Sequence, residues 1–384
     1  MRAELQQALV RRVLAHLDAR TTDTGTGPHR QPVAAYLDPV RHAREAALFT
    51  DLPVAIAHAS QLAKPGDFLT HDASGVSLLV VRRDDGTLAA YLNVCRHRGT
   101  RVEGLPCGSK KAFVCPYHAW SYGRDGSLLG IPHEDGFPGI ARDERGLVRV
   151  GCGEAAGLVF VRPSPAAPSP LDLPGWLGDT LDELVGFGTA AAHVYAPRSV
   201  TRDISWKLAI DIFLETYHLR MAHRDSIYRL FFDNVGLVDT VGPHLRTVFP
   251  KRTIRELPAR PPSDWRLREH ANILYHLFPN TLALVQPDHV SMFHAWPLGP
   301  ARTLVQSYTL VPEPPITEKA QRYWDANNAI LYGATEEDFV LGESIQRGLA
   351  SGANTELVFG AFEHALTHFH AQVDRFATAS RIGA

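Results

Sequence analysis

Side chains able to do chemistry gather in two places along this 384-residue chain. The first reads Cys95-Arg-His97-Arg-Gly and, after a spacer, Cys115-Pro-Tyr-His118-Ala-Trp. Two short loops thus each offer one thiolate and one imidazole. Thiolates suit zinc or iron–sulfur clusters and imidazole suits many metals, so the ligand set alone leaves both open. The order separates them better, because structural zinc sites mostly pair Cys with Cys and His with His, whereas here the two alternate. The second place is Trp206-Lys-Leu-Ala-Ile-Asp-Ile-Phe-Leu-Glu215-Thr-Tyr-His218, followed by His223. At about 100° per residue, Glu215 and His218 share a helix face about 60° apart, while His223 falls about 140° from His218. For both imidazoles to reach one metal, the helix must end or bulge between Leu219 and Ala222.

Alternating Cys and His suits a [2Fe–2S] centre of Rieske type, with two Cys on one iron and two His on the other. Cys95-x-His97 and Cys115-x-x-His118, with Arg98-Gly99 and Trp120 beside them, resemble the Rieske domain of ring-hydroxylating oxygenase α subunits. The stretch from Trp206 to His223 resembles the helix that carries a mononuclear iron in the same family. The resemblance implies that His218 and His223 are iron ligands. It places the third in Thr335-Glu-Glu-Asp338-Phe-Val-Leu-Gly-Glu-Ser-Ile-Gln346, at Asp338. Two His and one carboxylate make a facial triad that leaves open positions on Fe(II). The resemblance also makes Glu215 a bridge, accepting hydrogen bonds from His218 and from His118 of the partner subunit. Ile212 stands where many relatives carry Asn. Within one chain the family's two centres are too far apart for efficient transfer, which implies a homotrimer or a multiple of one.

Read without the upstream motif, the same residues have plainer roles. A His pair at this spacing is more often surface than ligand, and Glu215 is by default a solvated helix carboxylate. Asp338 fits a capping box with Thr335 as N-cap, and Glu336, Glu337 and Glu343 compete for any ligand role. Two other functions follow from such readings: a zinc-dependent binding module, and a Rieske protein that only transfers electrons.

Composition narrows the field. With 45% hydrophobic residues the chain can fill two ordinary cores. Lys and Arg number 39 against 41 Asp and Glu, a balance that suggests no nucleic-acid partner. The N-terminus lacks the apolar core of a signal peptide, and no apolar run approaches the ~18 residues of a membrane span. A soluble, cytoplasmic protein is expected. In a reducing compartment Cys107 and Cys152 read as small packed thiols rather than as a disulfide.

The elements that must position these residues follow from periodicity. Leu5, Ala8, Leu9, Val13 and Leu17 form a helical stripe over Glu4 to Arg20, and a second helix starts at Asp38-Pro39. Strands are expected over Gly66 to Thr70, Ser77 to Arg82 and Leu88 to Val94, with hairpin turns at Asp85-Gly86 and Asp125-Gly126 and the metal loops at hairpin tips. Pro163, Pro165, Pro168, Pro170 and Pro174 mark an extended linker. Beyond it come a helix at Leu181 to Phe187 and a strand at Val194 to Ile204. Further strands are expected over Arg246 to Phe249, Leu282 to Gln286, Val290 to Trp296 and Leu304 to Val311. The last helices span Thr317 to Tyr332, continuing after a break at Gly333 into Glu336 to Leu349, and Thr355 to Ala377.

The fold class expected is α+β, with an all-β Rieske domain of stacked antiparallel sheets and a catalytic domain of helix-grip type, a curved antiparallel sheet flanked by helices. Residues 1–50 form an N-terminal helical segment on the catalytic domain, 51–165 the Rieske domain and 166–384 the catalytic domain. The function implied is that of a terminal oxygenase using O2 to hydroxylate a small aromatic substrate. N- or O-demethylation of a quaternary ammonium or methoxyarene is the alternative. Pocket walls are expected from Ile227 to Val235 and from Leu284 to Phe293, with Phe231, Phe232 and Phe293 suiting an aromatic ring. No Gly-x-Gly-x-x-Gly follows a strand, so electrons must come from a separate flavin- or ferredoxin-type, NAD(P)H-dependent reductase.

Overall fold

A computed structural model describes residues 1–165 and 170–379. They divide into two compact units, Ala46–Trp176 and a second made of Met1–Glu45 with Leu177 onward. Among the described residues no helix is long and apolar enough to cross a membrane.

The Ala46–Trp176 unit is built from antiparallel strands. One seven-stranded sheet runs in the order Val54–His58, Leu158–Arg162, Arg149–Ala155, Leu88–Leu92, Leu78–Arg82, Asp67–His71, Cys107–Ser109. A three-stranded sheet holds Ala112–Val114, Ser121–Gly123 and Leu128–Gly130. Phe68, Leu79, Val81, Tyr91, Phe113 and Tyr122 fill one core cluster, to which Cys95, Cys115 and Trp120 also belong. Burying each such aromatic or branched side chain stabilises by roughly 1.5–3 kcal/mol. Both expected hairpin turns form, with Gly86 at φ 79° and Gly126 at φ 83°. The Cys115 loop is a hairpin tip, since Val114 pairs with Ser121. The Cys95 loop is not, because Leu88–Leu92 and Cys107–Ser109 are not neighbours in their sheet. Asn93 does the work of the missing pairing. Its Oδ1 accepts from the N–H groups of Val102 (3.1 Å) and Glu103 (2.9 Å), and its Nδ2 donates to Glu103 O (2.8 Å).

The linker reading at Pro168 falls outside the described residues. Of its flanks, Leu171 and Leu173 lie so close to Gly151 and Gly153 that a Cβ there would come within 2.7 Å and 3.0 Å of them. Cys152, between those glycines, is buried as expected, but Cys107 is exposed on its edge strand.

The second unit centres on another seven-stranded antiparallel sheet. Its order is His193–Arg202, Arg302–Val311, Val290–Gly299, Thr281–Val285, Ala271–Leu277, His244–Pro250, Leu237–Val241. The strands at Ala271–Leu277 and Leu237–Val241 were not anticipated individually, their alternation being interrupted by Asn272, His276 and Asp239. The N-terminal helix Ala3–Ala19 buries Leu9, Val10, Val13 and Leu17. Two expectations are corrected at the C-terminal end. Glu318–Ala350 is one helix without a break at Gly333, since a single Gly costs only about 1 kcal/mol and does not stop a helix held by packing on both sides. The segment expected as a helix from Thr355 begins as the strand Glu356–Phe359, paired with His29–Pro32, and turns helical only at His364–Ala379.

Trp206–Asp211, the helix leading to the second site, is tied at both ends. Lys207 Nζ pairs with Glu45, both essentially buried, and Trp206 Nε1 donates to the same carboxylate at 3.2 Å. Removing one partner of such a pair costs about 3–5 kcal/mol. At the other end Asp211 accepts from Tyr36 Oη (2.6 Å) and lies 3.1 Å from His370 Nε2.

Candidate metal centres and active site

The two loops of the β unit turn in the same way. Gly99 N–H donates to Cys95 O (2.9 Å) and Ala119 N–H to Cys115 O (3.0 Å). Cys95 N–H donates to Thr100 O and Cys115 N–H to Trp120 O, both at 2.8 Å. The fourth residue after each Cys is left-handed, Gly99 at φ 82° and Ala119 at φ 58°, which glycine tolerates freely and alanine at a cost. This repeat carries Cys95 and Cys115 inward, where both are buried, and leaves His97 and His118 facing each other with ring centroids 4.6 Å apart. Trp120 does more than fill the core. Its indole stacks on His97 at 4.9 Å and 8° between planes. Tyr117, in contrast, is exposed and lies against His118.

The four residues fit a Rieske cluster. His97 Nδ1 is buried without a hydrogen-bond partner, an arrangement that costs energy unless a ligand takes the lone pair. Burial pushes the Cys115 thiol pKa up, and the neighbouring Cys95 adds to the effect. A cation-bearing cluster reverses that cost by binding thiolate.

The second site rests on a helix break. The helix from Trp206 stops at Asp211, and only Leu219–Ala222 is helical again, with His218 and His223 at its two ends. The break thus lies before Leu219, not between Leu219 and Ala222 as helical geometry suggested. Glu215 explains it. Its Oε2 accepts from the N–H groups of Tyr217 and His218 (3.1 Å for the latter), a side-chain cap that replaces the backbone's own acceptors. Its Oε1 bonds His218 Nδ1.

The break brings the imidazoles together, with ring centroids 5.2 Å apart. Asp338 comes to them from the long helix, its Oδ1 2.9 Å from His223 Nε2 and 3.6 Å from His218 Nε2. One ligand atom from each residue lies within 4.8 Å of the others. The competing carboxylates point elsewhere. Glu336 forms a double hydrogen bond with Arg202, Glu343 lies 3.8 Å from the same guanidinium, and Glu337 holds His223 Nδ1 at 2.6 Å. Thr335 sits mid-helix and donates to Tyr332 O, so it caps nothing; the N-cap is Thr317, which accepts from Ala320 N–H. Burial opposes charge on His218 and His223, yet both pKa values are raised, by Glu215 and Asp338 for the first and by Asp338 and Glu337 for the second. The field here favours a cation, and two His with one Asp suit Fe(II).

A small cavity of about 80 Å³, partly open toward solvent, adjoins this trio. Ile212, Phe213, Phe231, Phe249, Leu274 and Leu284 are among its walls, with Asn272 on the sheet side. Ile227, Phe231 and Leu284 were expected. Phe232 instead lines a separate groove with Arg252 and Arg255, and Phe293 lies against Phe213 with ring centroids 5.2 Å apart. Phe249 and Asn272 were missed; only cross-strand pairing, Phe249 opposite Asn272 and Leu274 opposite Leu284, shows that they share a face.

The family of the catalytic domain of ring-hydroxylating α subunits matches residues 189–379, and the Rieske [2Fe–2S] domain family matches residues 53–141. The chain belongs to the Rieske ring-hydroxylating oxygenase α subunits. This oxygenase is 29% identical to the carnitine monooxygenase oxygenase subunit of Escherichia coli over 338 residues, 83% of this chain and 85% of the other. Against the glycine betaine monooxygenase oxygenase subunit of Chromohalobacter salexigens the figures are 27% over 380 residues, 85% and 81%. Chlorobenzene dioxygenase subunit alpha of a Cupriavidus species is 33% identical over 195 residues, 49% of this chain and 43% of the other. A quaternary ammonium Rieske monooxygenase solved with L-carnitine has the same fold, with a TM-score of 0.77, 22% identity and coverage of 91% and 95%. So does naphthalene 1,2-dioxygenase from Rhodococcus, with a TM-score of 0.74, 21% identity and coverage of 98% of each chain. The Rieske oxygenase described here is a terminal oxygenase component, with a [2Fe–2S] cluster and a mononuclear iron as cofactors and O2 and an organic molecule as substrates.

Proposed function

We propose that this oxygenase hydroxylates a small aromatic substrate. The observation that carries the proposal is that His218, His223 and Asp338 converge at a cavity walled by aromatic and aliphatic side chains. Cys95, His97, Cys115 and His118 hold the cluster, and His218, His223 and Asp338 hold the iron. Bound there, the two centres supply one-electron transfer and O2 activation. The chain's own residues do the rest. Glu215 and Glu337 accept hydrogen bonds from the Nδ1–H groups of His218 and His223, which fixes the tautomer that leaves each Nε2 free as a ligand. The apolar walls exclude water and orient a ring by shape.

Glu215 is also read as the link toward His118 of the partner subunit in a homotrimer, a role supported by its bond to His218. The domain division proposed is a Rieske domain at 51–165 and a catalytic domain at 166–384 joined by residues 1–50. Electrons come from a flavin- or ferredoxin-type NAD(P)H reductase. A cytoplasmic location agrees with four cysteines of which none is paired in a disulfide. Neither a membrane nor a nucleic acid enters the reading.

Demethylation of a quaternary ammonium compound is the second reading, favoured by the two relatives matched over most of the chain. Phe213, Phe231 and Phe249 could face such a cation. A zwitterion such as carnitine also presents a carboxylate, and among the described residues the cavity walls include no Lys or Arg to receive it. With a surrogate reductase and NADH, arenes should give hydroxylated product coupled to O2 uptake. Formaldehyde from glycine betaine or carnitine, with no turnover of arenes, would overturn the first reading in favour of the second.

A further inference from the structure

The geometry points to Asn272 as the residue that selects the substrate's polar substituent, so that the preferred substrate is a neutral arene bearing one hydrogen-bonding oxygen. This rests on the reading of the cavity as an arene site. Asn272 lies near the start of the strand Ala271–Leu277, directly opposite Phe249 and two residues from Leu274, on the sheet face that lines the cavity. Its carboxamide is partly buried, and among the described residues it has no protein hydrogen-bond partner. Other polar groups nearby are committed. Thr247 Oγ1 donates to Leu274 O, Ser291 Oγ to Gln286 Oε1, and Thr335 Oγ1 to Tyr332 O. Glu215 and Asp338 belong to the two imidazoles. One amide group therefore remains for a ligand in an otherwise apolar enclosure.

The physics favours selectivity. An amide lining an apolar site gains little from an all-hydrocarbon ligand and stays unpaired when one displaces its water. A carbonyl, ether or phenol oxygen accepts from Nδ2–H, and a phenol can also donate to Oδ1. Such a group at a fixed point on the sheet would set which edge of the ring approaches the His218, His223 and Asp338 trio.

Ethylbenzene and acetophenone, nearly equal in shape, form the test pair. Their dissociation constants are measured by calorimetry on the iron- and cluster-loaded protein, with glycine betaine as a third ligand. The native protein should prefer acetophenone by roughly 10–100-fold. Asn272→Leu should erase that preference while keeping affinity for ethylbenzene, which also shows that the variant is folded. Asn272→Asp, which has no donor when ionised, should lose acetophenone as well. A preference for acetophenone that survives both substitutions would overturn the role of Asn272 and leave the arene reading standing. Binding of glycine betaine without either arene would overturn both.

Discussion

Glu337 Oε2 lies 2.6 Å from Nδ1 of His223, while Oδ1 of the next residue, Asp338, lies 2.9 Å from Nε2 of the same ring. Two consecutive carboxylates on one helix thus hold opposite nitrogens of one imidazole. Ser226 Oγ donates to Glu337 Oε2 at 2.7 Å and steadies it. In the proposed iron site the arrangement would divide the labour, one carboxylate orienting the ring and the other completing the ligand set.

Glu337→Ala should therefore weaken iron retention without abolishing it, by roughly 10–100-fold in affinity. Iron titration of the metal-stripped protein, followed by activity, measures the effect. An unchanged affinity would mean that His223 needs no partner at Nδ1.

Asp338→Ala and His223→Ala should abolish turnover and lower the iron content from about three per chain to about two, with the cluster spectrum intact. Glu336→Ala should leave the iron in place, because its carboxylate serves Arg202. Loss of the cluster spectrum in the His223 variant would contradict the separation of the two sites.

Tyr122 Oη accepts from Arg96 N–H at 2.9 Å and lies 3.2 Å from Cys95 Sγ. With Cys95 bound as thiolate, the Tyr O–H must donate to sulfur, which favours the reduced cluster. Tyr122→Phe removes one such bond, worth roughly 1 kcal/mol, and should lower the potential by about 40 mV for this one-electron couple. Redox titration followed by the cluster's absorbance decides it, and a rise in potential would reverse the assignment of donor and acceptor.

His71 is buried, and its Nε2 accepts from Ser74 N–H at 3.1 Å, which requires a neutral ring. Burial pulls its pKa down to about 4 from 6.5, with Asp72 opposing. The folded value lies below the unfolded one, so the unfolded chain takes up the proton first. Stability from this group is complete above pH 6.5 and is lost as the pH falls from there toward 4. The slope is roughly 1 kcal/mol per pH unit. Between these limits the urea midpoint of His71→Gln should fall less steeply than that of the native protein; parallel curves would remove His71 as a cause.

Burial pushes the Cys152 thiol up to about 12, whereas Cys107 is exposed. In the cluster-loaded protein, iodoacetamide at about pH 8 should label one thiol rapidly, and Cys107→Ser should abolish that labelling. Mass mapping that found Cys152 modified first would contradict the packing against Gly151 and Gly153.

What the sequence by itself determined was local. The Cys-x-His and Cys-x-x-His loops, the Asp-Gly hairpins, the proline-started helix at Pro39 and most strands of the second unit's sheet follow from spacing and periodicity, which need only near neighbours. Glu215, His218 and His223 were singled out through the family resemblance rather than by spacing, and the capping by Glu215 that moves the helix break was not foreseen. The choice among Glu336, Glu337 and Asp338 belonged to tertiary structure. Successive helix residues point about 100° apart, so only the docking of the long helix sends one to Arg202, one to His223 Nδ1 and one between the two imidazoles. Likewise Glu356–Phe359 became a strand because His29–Pro32 was there to pair with it. Asn272 entered the cavity because cross-strand register set it beside Phe249. Such pairings join residues far apart in the chain, and local periodicity carries no record of them.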